Sequence, residues 1–218
     1  MTRAEPGAAR TADRLTALKF TPVVRPLLAV HPINDAPLDL DAVSALAFTS
    51  QNGVAAFAAL SPGRDLPVFT VGDATAEAAR GQGFRSVRSA GGALADLAAL
   101  LIAEVPRDGW VLAPGAQEPA GDLSAMASPA IRVRAVPVYE TRDTGVAAPE
   151  VFDAVLVHSA RAALALRSRG PFAGQVAVVL SAAVAGALGD GSGLEIRVAA
   201  SPDESALLAA LGKPAHRV

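Results

Sequence analysis

The 218-residue sequence predicts an α/β fold made of two similar parallel-sheet lobes, the first of them discontinuous. Three observations lead there. Hydrophobic residues make up 51% of the chain but aromatics only 4%, so the apolar mass is mostly Ala, Val and Leu, which suits helices packed closely on sheets. Short apolar runs rich in β-branched residues alternate with helical stretches, the pattern of parallel strands joined by right-handed crossovers. Finally, part of that pattern recurs at an offset of 109 residues, the separation of Ser50 and Ser159.

The elements follow in order. Thr11 to Lys19 reads as an amphipathic helix with Leu15 and Leu18 on one face, and Pro22 to Leu28 as an extended segment after it. Ala47 to Ser50 is an apolar run ending in hydroxyls, leading into a helix over Gly53 to Leu60. A strand at Leu66 to Gly72 precedes a helix at Thr75 to Gln82, and a closing helix at Leu94 to Glu104 follows Gly91-Gly92. Trp110 to Ala113 is expected as the strand that opens the second half, and its counterpart before Thr2 is missing from the sequence as given. Gly121 to Ala127 and Ile131 to Val138 then repeat the opening helix and extended segment. Val155 to Ser159 with a helix at Ala160 to Leu166, and Gln175 to Ser181 with a helix at Val184 to Gly191, repeat the two central units. Asp190 to Gly193 reads as a turn, and Glu204 to Leu211 as the last helix after Ser201-Pro202.

Leu28 to Pro32 and Val136 to Thr141 sit where each half changes character, so both are expected to run between the lobes. The expected division is therefore 1–28 with 143–218 as lobe 1, 35–134 as lobe 2, and 29–34 and 135–142 as linker strands. The alternative is one continuous doubly wound sheet.

Composition removes several function classes. Nineteen Lys and Arg against twenty-one Asp and Glu leave a net charge of −2, without the basic footprint of a nucleic-acid binder. With no cysteine there is no disulfide, thiolate catalyst or Cys-based metal site. His31, His158 and His216 lack metal-ligand spacing, so no metal is expected. The N-terminus has no apolar signal segment and no run spans a bilayer, which points to a cytoplasmic protein without membrane contact. Gly-x-x-x-x-Gly-Lys-Ser/Thr and Gly-x-Ser-x-Gly do not occur.

In parallel sheets, ligands bind beyond the carboxyl ends of the strands, where helix N-termini present amide groups. Four loops meet that description: Thr49-Ser50-Gln51-Asn52-Gly53, Gly72-Asp73-Ala74-Thr75, His158-Ser159-Ala160 and Ser181-Ala182-Ala183. Taken singly, Thr49, Ser50, Thr75 and Ser159 read equally as helix N-caps. Placed equivalently in two repeats, they point to a shared binding cleft. Tyr139, the one tyrosine, is either a hydrogen-bond donor to a leaving oxygen or an amphipathic anchor of the linker. Arg3 and Arg25 could pair with carboxylates or simply face solvent. His158, with no acidic neighbour in sequence, reads as a capping or loop residue.

These segments, in this order, resemble the uroporphyrinogen-III synthase family. Thr2-Arg3-Ala4-Glu5-Pro6 is similar to its opening Thr-Arg-Pro-x-Pro, with Ala4 in place of a proline. Phe48-Thr49-Ser50-Gln51-Asn52-Gly53-Val54 with Phe57, and Val71-Gly72-Asp73-Ala74-Thr75-Ala76-Glu77-Ala78 with Gly83-Phe84, are close to its two first-half loops. Val138-Tyr139-Glu140-Thr141 resembles its Val-Tyr-x-Thr linker element. The second half departs: Val184 stands where the family keeps a threonine, and the loop before it is reduced to His158-Ser159-Ala160-Arg161.

The resemblance implies a cofactor-free lyase that acts as a monomer on a small-molecule substrate. That substrate is hydroxymethylbilane, a linear tetrapyrrole with eight carboxylates, which loses water, inverts its last pyrrole and closes to uroporphyrinogen III. Tyr139 is the implied catalytic residue. The implied substrate contacts are Arg3, Thr49, Ser50, Asn52, Gly53, Gly72, Thr75, Ser159, Ala160 and Ser181. Amide-rich loops would supply positive potential to carboxylates despite the acidic net charge. The weakened second-half loops motivate an alternative, an inactive relative serving as a binding or regulatory module. A two-lobed solute receptor fits the architecture but not the missing signal segment.

Overall fold

The computed structural model describes residues 2 and 7–213. The chain divides into two compact units, Met1–Ala29 with Arg142–Val218, and Val30–Thr141. We call them unit 1 and unit 2.

Unit 2 is built on most of a six-stranded sheet of order β1-β6-β5-β2-β3-β4. Its strands are β1 (Leu28–Pro32), β2 (Val43–Phe48), β3 (Val68–Thr70), β4 (Val87–Ser89), β5 (Trp110–Ala116) and β6 (Arg132–Asp143). The pairs β2–β3, β2–β5, β3–β4 and β5–β6 are all parallel. Both β1 and β6 carry a unit boundary within them. Helices α2 (Gln51–Leu60), α3 (Asp73–Gly81), α4 (Leu94–Glu104) and α5 (Leu123–Ala127) make the crossovers. Val111 belongs to one hydrophobic cluster and Leu112 to another, both fully buried, so β5 is covered on both faces as a central parallel strand must be. Phe48, Phe57 and Phe84 pack with ring centroids 5.7 to 6.1 Å apart on the α2–α3 side.

Unit 1 holds a three-stranded parallel sheet of order β7-β8-β9, formed by Ala154–Val157, Val176–Val179 and Glu195–Val198. Helices α6 (Ala160–Arg167) and α7 (Ala182–Leu188) cover one face, while α1 (Gly7–Ala17) and α8 (Glu204–Leu211) cover the other. The two sheets are thus unequal in strand number.

The internal repeat holds at the level of strand register. Leu46 faces Val68 and Val68 faces Val87 in unit 2; Val155 faces Ala177 and Ala177 faces Ile196 in unit 1. Each residue of the second set lies 109 positions beyond its counterpart. The capping hydrogen bonds follow suit: Gly53 N donates to Ser50 Oγ at 3.0 Å, and Ala162 N to Ser159 Oγ at 3.2 Å.

Several expected elements shift. The helix expected over Val184 to Gly191 runs from Ala182 to Leu188, because Gly189 at φ 72° leaves the helical region. A 3₁₀ turn over Asp190–Ser192 follows it. The opening helix starts earlier, at Gly7, and ends at Ala17 before Lys19 at φ 68°. Pro22 to Pro26 carries no strand, although its counterpart at Ile131 to Ala135 lies largely within β6. β5 holds β6 by a ladder of seven pairs, whereas Leu27 N donates to the Thr2 carbonyl at 3.1 Å and the Leu27 carbonyl accepts from Thr144 N at 2.9 Å.

Candidate functional site

In unit 2 the carboxyl ends of β2 and β3, neighbours through Phe48 and Thr70, deliver the two first-half loops side by side. Ser50 caps α2 in an extended conformation, its Oγ accepting from Gly53 N at 3.0 Å. Gly53 is needed for close approach: a Cβ there would lie 2.8 Å from the Pro114 carbonyl oxygen of β5. The α2 amide terminus therefore sits tight against the neighbouring strand. Thr49 is exposed, and Asn52 is half-buried beside the cap. Gly72 caps α3 without a side chain, its carbonyl accepting from Thr75 N at 3.1 Å and Ala76 N at 3.1 Å. Thr75 is buried.

Tyr139 reaches the same edge through a break in the β5–β6 ladder. Gly115 pairs Pro137, but Ala116 pairs Tyr139, leaving Val138 as an extra residue. Buried and exposed residues stop alternating there, so Val138 and Tyr139 are both buried. The phenol oxygen comes to 3.0 Å from Ser50 Oγ, and Gln117 N donates to the Tyr139 carbonyl at 2.8 Å. Ser50 Oγ already accepts from Gly53, so it meets the phenol through its own proton or its second lone pair. The structure brings Tyr139, Ser50 and Gly53 into one hydrogen-bonded group.

In unit 1, Ser159 and Ser181 cap α6 and α7 at the carboxyl ends of β7 and β8. Ala160 is exposed at the first turn of α6. Ser159 makes the capping bond and Ser181 makes none. Val184 and Thr75, equivalent by the repeat, are 5% and 6% exposed, so the lost hydroxyl is at a buried position in both units. Arg3 and His216 lie outside the described residues.

The expectation that His158 lacks an acidic partner is corrected. Its Nε2 lies 3.1 Å from Glu204 Oε2, at the first turn of α8. The Thr11 hydroxyl meets the other carboxylate oxygen of Glu204. Glu204 is 46 residues from His158, and no local spacing announces the contact. Nδ1 of His158 is buried with no partner among the described residues.

Among the described residues no group of three or more His, Cys, Asp or Glu could hold a metal ion, and no helix is long and apolar enough to cross a membrane.

A family model described as "Uroporphyrinogen-III synthase HemD" matches residues 9–209. The chain belongs to the uroporphyrinogen-III synthase family. Solved structures of family members share its fold. Uroporphyrinogen-III synthetase from Helicobacter pylori 26695 aligns with a TM-score of 0.66 at 18% identity, over 84% of this chain and 88% of that one. A mutant uroporphyrinogen III synthase from the extreme thermophile Thermus thermophilus aligns with a TM-score of 0.53 at 15% identity, over 97% and 96%. No curated protein matches the sequence. Membership points to an enzyme of porphyrin synthesis, and the mixed α/β fold with mainly parallel sheet pairing is the one these family structures share.

Proposed function

We propose that the protein is a uroporphyrinogen-III synthase, a lyase that cyclises hydroxymethylbilane with loss of water and inversion of the terminal pyrrole. The single observation that carries this reading is the 3.0 Å contact between Tyr139 and Ser50 at the N-terminus of α2. It puts a phenol proton donor beside a row of backbone amides, in a chain of this family.

The reaction needs little covalent chemistry from the protein. Hydroxymethylbilane closes unaided to the symmetric isomer, so the catalyst's task is to hold the chain with the inverted ring poised to attack. Substrate carboxylates meet amides and hydroxyls of Thr49, Ser50, Asn52, Gly53, Gly72 and Thr75 in one lobe. Arg3, Ser159, Ala160 and Ser181 serve in the other, and β1 and β6 link the two. Tyr139 protonates the departing hydroxyl. The protein works as a cytoplasmic monomer without cofactor or metal.

Incubation with freshly prepared hydroxymethylbilane, with type III separated from type I product by chromatography, tests substrate, reaction and competence together. A predominance of type III is the expected result. Type I alone would instead support the second reading, a binding or regulatory module that kept the fold. That reading draws on Val184 in place of a threonine and on the shortened Ser159-Ala160 loop.

A further inference from the structure

Gly115 is the one glycine within a described strand, and it lies in β5, which runs between β6 and β2 in the interior of the unit 2 sheet. Glycine weakens a strand, because it gives up the most backbone freedom on ordering and brings no side chain to pack. A glycine so placed calls for a reason, and the two ordinary reasons fail. Its φ lies outside the left-handed region, so the backbone does not require it. Nothing lies within 4 Å of the position its Cβ would take, so no neighbouring segment requires it either. Gly53 makes the contrast, since a Cβ there would meet the Pro114 carbonyl oxygen at 2.8 Å. The irregularity in the β5–β6 ladder falls next to Gly115, but its extra residue, Val138, belongs to β6.

Alternation along β5 fixes the side on which the open space lies. Val111 and Ala113 pack in the cluster with α4 and α5, whereas Leu112 and Ala116 pack in the one that holds Tyr139. Gly115, half-buried, therefore faces the α4 side, beyond Ala113 toward the carboxyl end of the strand. Its partner in the ladder is Pro137, which is exposed. Carrying the β2–β5 register on from Leu46 and Leu112 brings Thr49, also exposed, to its other side. The space at Gly115 thus lies between two exposed residues, at the end of a parallel sheet where ligands bind.

We infer that Gly115 is a specificity-determining residue, its missing side chain leaving a seat for one pyrrole ring of the substrate laid against the β5 backbone. The inference rests on the proposed synthase reading and deepens it. Carboxylates of the tetrapyrrole meet amides and hydroxyls of the loops, but its rings need an uncharged surface that they can approach closely. A glycine peptide in an exposed stretch of strand supplies one. Tyr139 packs on the other face of the sheet, so the ring at Gly115 is not the one that loses its hydroxyl. The seat contributes binding and takes no part in the chemistry.

The test substitutes Gly115→Ala and Gly115→Val in the full chain. The space is open and a strand tolerates both residues better than glycine, so each should raise Tm, by about 2–4 °C. For hydroxymethylbilane, KM should rise about tenfold or more in the valine variant and less in the alanine variant, with kcat within a few-fold. Greater stability joined to weaker binding is what a purely structural glycine cannot give. Gly186→Ala, which also stabilises a regular element, should leave KM unchanged. A fall in Tm, or no folded protein, would show that the chain itself occupies the space and would overturn the inference. An unchanged KM in the valine variant would overturn it too. Anaerobic calorimetric titration with the same tetrapyrrole, carrying a methyl in place of its hydroxymethyl group, separates the seat from the reaction. If the parent gives type I product alone, the synthase reading fails, yet binding of the methyl analogue weakened about tenfold by valine still supports the seat. Equal affinity in parent and variant overturns the seat even where the parent gives type III, and a parent that does not bind the analogue overturns both.

Discussion

The phenol of Tyr139 and the hydroxyl of Ser50 lie 3.0 Å apart, joining residues 89 positions distant in sequence. The contact exists because one extra residue in β6 turns Tyr139 toward the cap of α2. Removing the phenol oxygen should therefore separate chemistry from folding. Tyr139→Phe is expected to lower type III formation about 100-fold, the loss typical of a missing proton donor. Its stability cost should be about 1 kcal/mol, since Ser50 keeps its bond from Gly53. Turnover within a few-fold of the parent in the isomer assay would remove Tyr139 from the catalytic role.

Two glycines offer a paired test of packing against propensity. Gly53→Ala puts a Cβ 2.8 Å from the backbone oxygen of Pro114, which cannot swing aside as a side chain could. A loss of about 1–3 kcal/mol is expected, despite the preference of helices for alanine. Gly186 lies within α7 with nothing within 4 Å of the equivalent Cβ position. Gly186→Ala should stabilise by about 0.5–1 kcal/mol. Urea midpoints moving the same way for both would mean that the close approach at Gly53 is not what selects glycine.

Local pattern and repeat made much of the fold legible. The helices at Leu94–Glu104 and Glu204–Leu211 form at their expected limits, and the 109-residue offset carries through two strand pairs of each sheet. The candidate loops could be located because each strand run ends in small or hydroxyl residues. What stayed hidden depends on contacts between distant segments. The β5–β6 irregularity that aims Tyr139 arises from pairing, and nothing in Pro137-Val138-Tyr139 alone marks it.

The His158–Glu204 pair ties the end of β7 to the start of α8, and Thr11 of α1 joins the same carboxylate. Its Nδ1 has no partner among the described residues, so the bond at Nε2 is the one that offsets burial of the ring. Glu204→Ala should cost about 1–3 kcal/mol by leaving that nitrogen unsatisfied. Glu204→Gln keeps an acceptor in reach and should recover at least half of the loss. Equal urea midpoints for the two variants would show that the hydrogen bond contributes nothing beyond the side chain's volume.

Asp143, the last residue of β6, gives stability an acid limb with a definite sign. Arg169 hydrogen-bonds its carboxylate, with Nη1 3.0 Å from Oδ2, and Gly145 N donates at 2.7 Å. The bond from Arg169 first, then the Gly145 amide, hold its pKa at about 2, against 3.8 for a free carboxylate. The unfolded chain therefore takes up this proton before the folded one does. The contribution is complete above pH 3.8 and is lost as pH falls toward 2. The Asp143 side chain is 47% exposed, so solvent screening keeps the effect small. Asp143→Asn should lower the urea midpoint at pH 7, and its deficit against the parent should shrink steadily between pH 4 and pH 2. A deficit that stays constant across that range would show that Asp143 acts through shape and neutral hydrogen bonds, and that its charge carries none of the stability.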